Sequence, residues 1–220
     1  MNLAIFDLDN TLIADDSDHL WGQFLVKQQL VNSESYDAAN TRFYQDYCRG
    51  ELDIDAYLKF ALAFLTEHDL NQLLAHRQQF VEQIIRPLVL PDAVQLVEKH
   101  RQQGDTLLVI TATNRFVTEP IVELFGIDHL LATEPEQQDG RYTGDYVRPP
   151  CYREGKVANL QTWMKKHGCN LQHSTFYSDS HNDQPLLSLV EQPVAVDPDE
   201  TLRQWATEQG WPIISLRGHA

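Results

Sequence analysis

Leu3-Ala4-Ile5-Phe6-Asp7-Leu8-Asp9-Asn10-Thr11 ends a short apolar run in two carboxylates one residue apart, followed by a threonine. The run has the length of a buried parallel strand. Open α/β sheets place their ligands at the carboxyl ends of such strands. Asp7 and Asp9 are therefore expected close together at a sheet edge, where two anions repel unless a positive group sits between them. A hard cation such as Mg²⁺ suits the position, because it prefers oxygen ligands and keeps waters that a phosphate can displace. Taken alone, Asp-x-Asp-x-Thr reads equally well as a turn or a helix N-cap, so the rest of the chain decides.

The totals narrow the classes. The chain has 220 residues, 42% of them hydrophobic, which suits one domain with an insertion or two small domains. It carries 32 acidic against 17 basic residues, a formal net charge of −15. Such a balance argues against nucleic-acid backbones and anionic membrane surfaces as partners. It also repels a phosphorylated substrate at long range, so a phosphate site here needs local positive charge from a metal, a lysine and backbone N–H groups. The three cysteines, Cys48, Cys151 and Cys169, lie far apart without metal-ligand spacing and read as reduced thiols of a cytoplasmic protein. The N-terminus lacks the pattern of a signal peptide, and no apolar stretch has the length to span a bilayer.

After Thr11 the pattern turns helical. Asp16 or Ser17 can cap a helix with Leu20, Trp21, Phe24, Leu25 and Leu30 on one side. A second helix is predicted from about Tyr36 to Tyr47, a third from Asp53, and a fourth over Leu70 to Ile85, closed by Pro87 and Pro91. Beyond them strands and helices alternate. This shift divides the chain into a core of residues 1–15 and 88–220 and an all-helical insertion, 16–87, above the Asp7/Asp9 site, where insertions serve as lids. In the core, strands are predicted at Thr106–Thr111, His129–Thr133, Ser174–Ser178, Pro193–Asp197 and, as an edge, Pro212–Leu216. Asp139-Gly140 signals a tight hairpin. Helices are predicted over Asp92–Gln103, through Ile121 and Leu124 with Pro120 in the first turn, and over Glu154–His167, Asp183–Val190 and Asp199–Gln209. The alternation means an α/β fold, a Rossmann-like, mostly parallel sheet with helices on both faces.

Three of these strands end in polar residues, Phe6 before Asp7, Ile110 before Thr111 and Ser178 before Asp179, and in a parallel sheet all three ends share one edge. Asp7, Asp9, Thr111, Asp179 and Asp183 can thus converge. Each also has a plainer reading: Thr111 as a loop residue, Asp183 as an N-cap, Lys156 as a surface lysine. Lys156 stands in the first turn of its helix, where the dipole disfavours a cation and an anionic partner is favoured.

The four pieces Asp7-Leu-Asp-Asn-Thr11, Thr111, Lys156, and Asp179 with Asp183 resemble, in order and spacing, the four motifs of the haloacid dehalogenase superfamily. The helical insertion resembles its type I cap. The stretch from Asp139-Gly140 through Pro149-Pro-Cys-Tyr-Arg-Glu-Gly-Lys156 is similar to the phosphoserine-phosphatase-like subfamily IB. The resemblance implies a Mg²⁺-dependent phosphomonoesterase acting through an aspartyl phosphate. Asp7 would be the nucleophile, Asp9 the general acid and base, and Lys156 the cation on the phosphoryl oxygens. The metal would be held by Asp7, Asp179 and the carbonyl of Asp9. Thr111, Ala112 and Asn182 would contact the phosphoryl group, and Asp183 would orient Lys156. The chain departs from phosphoserine phosphatases at Thr111-Ala112-Thr113 and Ser178-Asp179-Ser180, and within the subfamily it resembles hydrolases linked with histidinol phosphate. The acidic run Asp15-Asp16-Ser17-Asp18 reads either as a capping turn or as carboxylates suited to a substrate amine. Two other classes stay open: a phosphotransferase on the same scaffold, including a phosphomutase, and a non-catalytic phosphate-binding module, against which the intact acidic set counts.

Overall fold

An unbroken apolar strand must be covered on both faces, and β1 (Leu3–Phe6) is buried throughout in the computed structural model, which describes residues 2–218. It lies between β2 (Thr106–Asn114) and β5 (Ser174–Ser178), parallel to both, with Phe6 paired to Val109 and Tyr177. Next to β2 runs β3 (His129–Gln138), and β4 (Arg141–Val147) returns antiparallel to it as an edge. On the other side lie β6 (Gln192–Val196) and the two-residue β7 (Ile213–Ile214), giving the order β4-β3-β2-β1-β5-β6-β7. Side chains alternate across the strand. Ala4 and Phe6 join one apolar cluster, while Leu3 and Ile5 join the other, with Phe176, Leu160 and Leu202.

Between β1 and the rest of the sheet the chain is helical: α1 (Ser17–Lys27), α2 (Ser33–Cys48), α3 (Ile54–Thr66) and α4 (Leu70–Phe80). Each begins at a residue whose side chain accepts from a first-turn N–H: Asp16, Asn32, Asp53 and Asp69. The ends of the segment lie side by side. Ile13 and Val89 form an antiparallel bridge, and Ala14 N–H donates to the Leu88 carbonyl at 2.8 Å. Trp21 and Phe24 of α1 and Phe80 of α4 pack against one another and against Phe116 of α6 (Arg115–Glu123), with Trp21 5.9 Å from Phe116 between ring centres. The helical segment and the sheet layer therefore share one apolar core. The remaining helices, α5 (Pro91–Gln102), α7 (Glu154–His167) and α9 (Glu200–Gln209), lie close to their predicted spans. No helix among the described residues has the length and apolarity to cross a membrane.

The sequence expectations fail in several places, each for a local reason. The fourth helix does not run to Ile85: after Phe80 it widens into a π-helical stretch over Val81–Ile85, then tightens into a 3₁₀ turn over Arg86–Leu88. Pro87 lacks an N–H for the preceding turn, so regular α-helix cannot continue through it. The predicted Asp183–Val190 helix is a 3₁₀ turn (His181–Asp183) followed by the short α8 (Gln184–Leu187). β3 extends to Gln138, because pairing with β4 carries it past Thr133. β2 continues past Thr111 to Asn114, with a register shift against β3 between Ile110 and Asn114. As a result α6 starts at Arg115, capped by Asn114, and Pro120 sits inside the helix rather than in its first turn.

An interior proline leaves the carbonyl four residues earlier without its donor. Here that carbonyl belongs to Phe116, and Arg77 of α4 donates to it from Nη1 at 3.0 Å while its guanidinium covers the Phe116 ring at 4.9 Å. We expect Arg77→Ala to lower stability by about 1–3 kcal/mol, the cost of an unpaired buried acceptor. In a Pro120→Ala background the backbone N–H returns, and the cost of Arg77→Ala should fall by at least half. Denaturant unfolding of the four proteins in this cycle checks it; additive effects would refute the substitution of one donor for the other.

Candidate active site

Asp7 leaves β1 with its N–H donating to the Tyr177 carbonyl of β5 at 2.9 Å, which fixes its carboxylate at the carboxyl edge of the sheet. Lys156 reaches the same point from the first turn of α7. Its Nζ donates to Asp7 Oδ1 at 3.1 Å and to the Asp183 carboxylate at 2.8 Å, and all three side chains are buried. Gly155 makes the approach possible: a Cβ there would stand 1.9 Å from the Pro150 carbonyl oxygen. The Ser178 hydroxyl donates to Asp183 at 2.7 Å, so the partner of Lys156 is itself held in place.

Asp9 is held separately. Oδ1 accepts the N–H of Ser17, the first residue of α1, at 2.7 Å, and Oδ2 accepts the Thr113 hydroxyl at 2.8 Å. Thr113 went unassigned in the sequence, although it stands two positions from Thr111, the spacing that repeats a strand face. Thr111 is buried; its Oγ1 accepts the Thr113 N–H at 3.2 Å, and its hydroxyl proton meets no acceptor among the described residues. Asp179 follows β5 and accepts the Thr11 hydroxyl at 3.0 Å. Asn182 lies in the 3₁₀ turn that follows β5. Its Oδ1 accepts from Tyr152 and Arg153, and its Nδ2 donates to the Tyr47 carbonyl of α2 at 3.1 Å and faces Ser180 Oγ at 3.3 Å. Its amide ties α2 to the core loops.

Burial pushes Asp7 well above the ordinary carboxylate range; Lys156 opposes this, while Asp183, Asp179 and Asp9 add to it. Burial likewise raises Asp9, against the hydrogen bonds from Ser17 and Thr113, and pushes Asp179 up to about 7. Burial alone would depress Lys156, but Asp183 and Asp7 outweigh it and hold the ammonium more firmly charged than usual. Two buried carboxylates, Asp7 and Asp183, and two half-buried ones, Asp9 and Asp179, thus surround one ammonium, an imbalance that a divalent cation would relieve. Among the described residues no three acidic, histidine or cysteine side chains converge closely enough to hold a metal by themselves, and the Asp9 carboxylate is the one turned aside. The Asp9 carbonyl, however, accepts no hydrogen bond from the described residues. Together with the Asp7 and Asp179 carboxylates it makes an all-oxygen donor set that fits a hard cation retaining several waters.

Above these groups lies a cleft with about 540 Å³ of empty space, its mouth included, between the strand ends and the helical segment. Asp7, Asp9, Thr111, Ala112 and Thr113 form its floor; Asp16, Asp18, His19 and Asn40 line its polar wall; Phe43, Tyr44, Tyr47, Leu52, Ile54 and Tyr57 close its apolar side. Among the described residues no lysine or arginine lines it. Of the acidic run, Asp16 caps α1 and also faces the cleft, so the capping and lining readings both hold for it. Asp18 faces the cleft beside the Tyr57 hydroxyl, and burial pushes it up to about 7. The aromatic wall and Asn40 come from α2 and α3, whose sequence shows only helical periodicity and no chemical motif.

Known proteins share this fold. The profile of the haloacid dehalogenase-like hydrolases matches residues 4–188. A histidinol-phosphatase of Neisseria meningitidis is 47% identical over 220 residues, covering 98% of this chain and 99% of that one. A crystal structure from Bordetella pertussis of a protein with unknown function is 41% identical and superposes with a TM-score of 0.92 over 98% of both chains. A phosphoserine phosphatase captured as a phospho-aspartyl intermediate analogue shares the fold, with a TM-score of 0.71 at 16% identity over 99% of this chain and 93% of that one. With the profile matched over residues 4–188 and a 47% identical relative aligned over nearly the whole of both chains, the chain belongs to the haloacid dehalogenase-like hydrolases, as a phosphatase of that family.

Proposed function

We propose that the protein hydrolyses a small phosphomonoester bearing a cationic amine, with histidinol phosphate as the leading substrate, through a phosphoaspartate on Asp7 and with Mg²⁺ as cofactor. The observation that carries the chemistry is the Asp7–Lys156–Asp183 chain, a carboxylate at a sheet edge with a buried cation beside it. The substrate reading rests on the cleft wall, which offers Asp16 and Asp18 and, among the described residues, no lysine or arginine, so an ammonium is favoured and a second anionic group penalised. The name of the 47% identical relative supports the same substrate. A phosphoserine carboxylate would meet those acids. The boundaries of the lid fall near residues 15 and 88, beside the Ile13–Val89 bridge, and the free cysteines suit a cytoplasmic setting.

In the reaction the Asp7 carboxylate attacks phosphorus as the bond to the leaving oxygen breaks, and Asp9 gives that oxygen its proton. Asp9 then takes a proton from the water that attacks phosphorus in the phosphoaspartate. Phosphate leaves and Asp7 is restored. Lys156, held by Asp183, neutralises charge on the phosphoryl oxygens, and Thr111 donates its free hydroxyl proton to one of them. Asp7, Asp179 and the Asp9 carbonyl would hold Mg²⁺, which when bound supplies further neutralisation of the phosphoryl oxygens. The lid excludes water before the intermediate forms. Release of free phosphate without an added alcohol acceptor separates this reading from phosphotransfer.

Asp7→Asn should abolish turnover with the fold retained, since the amide keeps the shape and loses the nucleophile; steady activity in the purified variant would refute a covalent route. Asp9→Asn should cost much more on alkyl than on aryl phosphates, whose leaving groups need no proton, and equal losses would remove Asp9 as the acid. Excess chelator should silence the enzyme and Mg²⁺ restore it, as phosphate-release assays will report. Asp18→Asn has two expected effects. It should raise KM for histidinol phosphate more than for phenyl phosphate, with the gap narrowing in salt. It should also stabilise the metal-free protein above pH 7. Folded Asp18 keeps its proton up to about pH 7, whereas the unfolded residue loses it near pH ~4, so stability falls as pH rises between those values. The variant should gain about 1–3 kcal/mol at pH 8 and nothing near pH 4, read from thermal melts in chelator.

A further inference from the structure

The polar wall of the cleft holds one group that the charge-matching argument leaves unused. Asn40 of α2 is 3% exposed yet lines the cleft. Its Nδ2 donates to the His19 carbonyl at 2.9 Å and faces His19 Nδ1 at 3.1 Å. A carbonyl oxygen can only accept, so this contact fixes which end of the amide is nitrogen. The opposite end, Oδ1, meets no donor among the described residues. The amide lies flat on Gly22 of α1, where a Cβ would stand 2.5 Å from Nδ2 and 2.6 Å from Oδ1. A neutral acceptor is thus locked in one orientation by a residue without a side chain, next to a chamber whose other polar wall groups include two carboxylates. His19 stacks on Tyr44 at 4.5 Å, so the group that orients Asn40 is itself packed in place.

We propose that Asn40 is a specificity-determining residue whose Oδ1 accepts a hydrogen bond from a neutral N–H of the substrate, distinct from the ammonium held by Asp16 and Asp18. The inference rests on the reading of the cleft as an amine-phosphate site and narrows its class: a phosphomonoester that carries an ammonium and, apart from it, a neutral N–H. A partly buried neutral hydrogen bond of this kind changes affinity by about tenfold. Two groups on one rigid wall would then read two different donors, one by charge and one by geometry.

The test measures kcat/KM at pH 8 for histidinol phosphate, its ring N-methylated analogue, phosphoethanolamine and phenyl phosphate, with wild type, Asn40→Leu and Gly22→Ala. The methylated ring has no N–H when neutral and needs no variant. We expect methylation to cost wild type about tenfold, Asn40→Leu to cost about the same on the parent compound, and the two losses not to add. Phosphoethanolamine and phenyl phosphate should stay within about twofold in Asn40→Leu. Gly22→Ala, which displaces the amide without touching substrate, should reproduce the pattern in weaker form. Equal losses of Asn40→Leu on all substrates would assign Asn40 to the fold alone, and equal turnover of parent and methylated compounds by wild type would also overturn the proposal. Absence of a preference for either amine over phenyl phosphate would instead overturn the reading of Asp16 and Asp18, and the methylation comparison still decides for or against Asn40.

Discussion

An ammonium with no water around it survives only where anions stand at hydrogen-bonding distance, and removing one partner of such a pair typically costs about 3–5 kcal/mol. Lys156 is in that position, between Asp7 and Asp183. The two carboxylates come from different strand ends, so their separation depends on the register of β1 against β5. A slip of one residue would turn Asp7 to the other face of the sheet. The lysine depends in turn on the start of α7, where Gly155 lets the chain pass against the Pro150 carbonyl. Sheet register, helix placement and site geometry are one constraint seen at three scales.

What could be read beforehand follows the range of the interactions involved. β1 and the first half of β2 announce themselves because each is an apolar run of the kind a strand covered on both faces requires, and after β1 the first polar residue marks the sheet edge. The starts of the first, third and fourth inserted helices were legible because Asp16, Asp53 and Asp69 cap through their own first turns, a local event, whereas the second starts at Ser33, capped by Asn32, ahead of the expected Tyr36. Asn114 hid the end of β2, since Thr111-Ala-Thr-Asn114 has the composition of a turn while its backbone continues the strand. The hydrogen bonds of Asn182 are hidden for a related reason. Its neighbourhood in sequence is that of Asp179 and Asp183, but its amide is spent on Tyr152, Arg153 and Tyr47, partners 29 or more residues away. No local pattern announces such partners.

The acidic balance of the chain and the basic demand of a phosphoryl site meet in this fold without compromise. The positive charge required is concentrated in one buried lysine, and the cleft wall above it remains acidic or neutral. Long-range repulsion of a phosphate is then offset locally, where desolvation makes each charge count for more. Asp9 joins the two parts of the molecule at this point, accepting from Ser17 of α1 on one side and from Thr113 of β2 on the other.

The adjacency of Ile13 and Val89 has a consequence for how such proteins can diversify. Because the chain leaves and rejoins the sheet layer at one spot, the intervening helices could be excised or exchanged without rethreading any strand. Topology permits the exchange, but the core does not grant it freely. Trp21, Phe24 and Phe80 belong to the inserted segment and Phe116 to the layer beneath, and they form one aromatic cluster. A shorter graft would leave Phe116 and its neighbours facing water, and the Phe116 carbonyl would lose the arginine that stands in for the missing N–H of Pro120. Any replacement must therefore bring an aromatic wedge and a long donor to the same place, so recombination at this junction is limited by packing and not by connectivity.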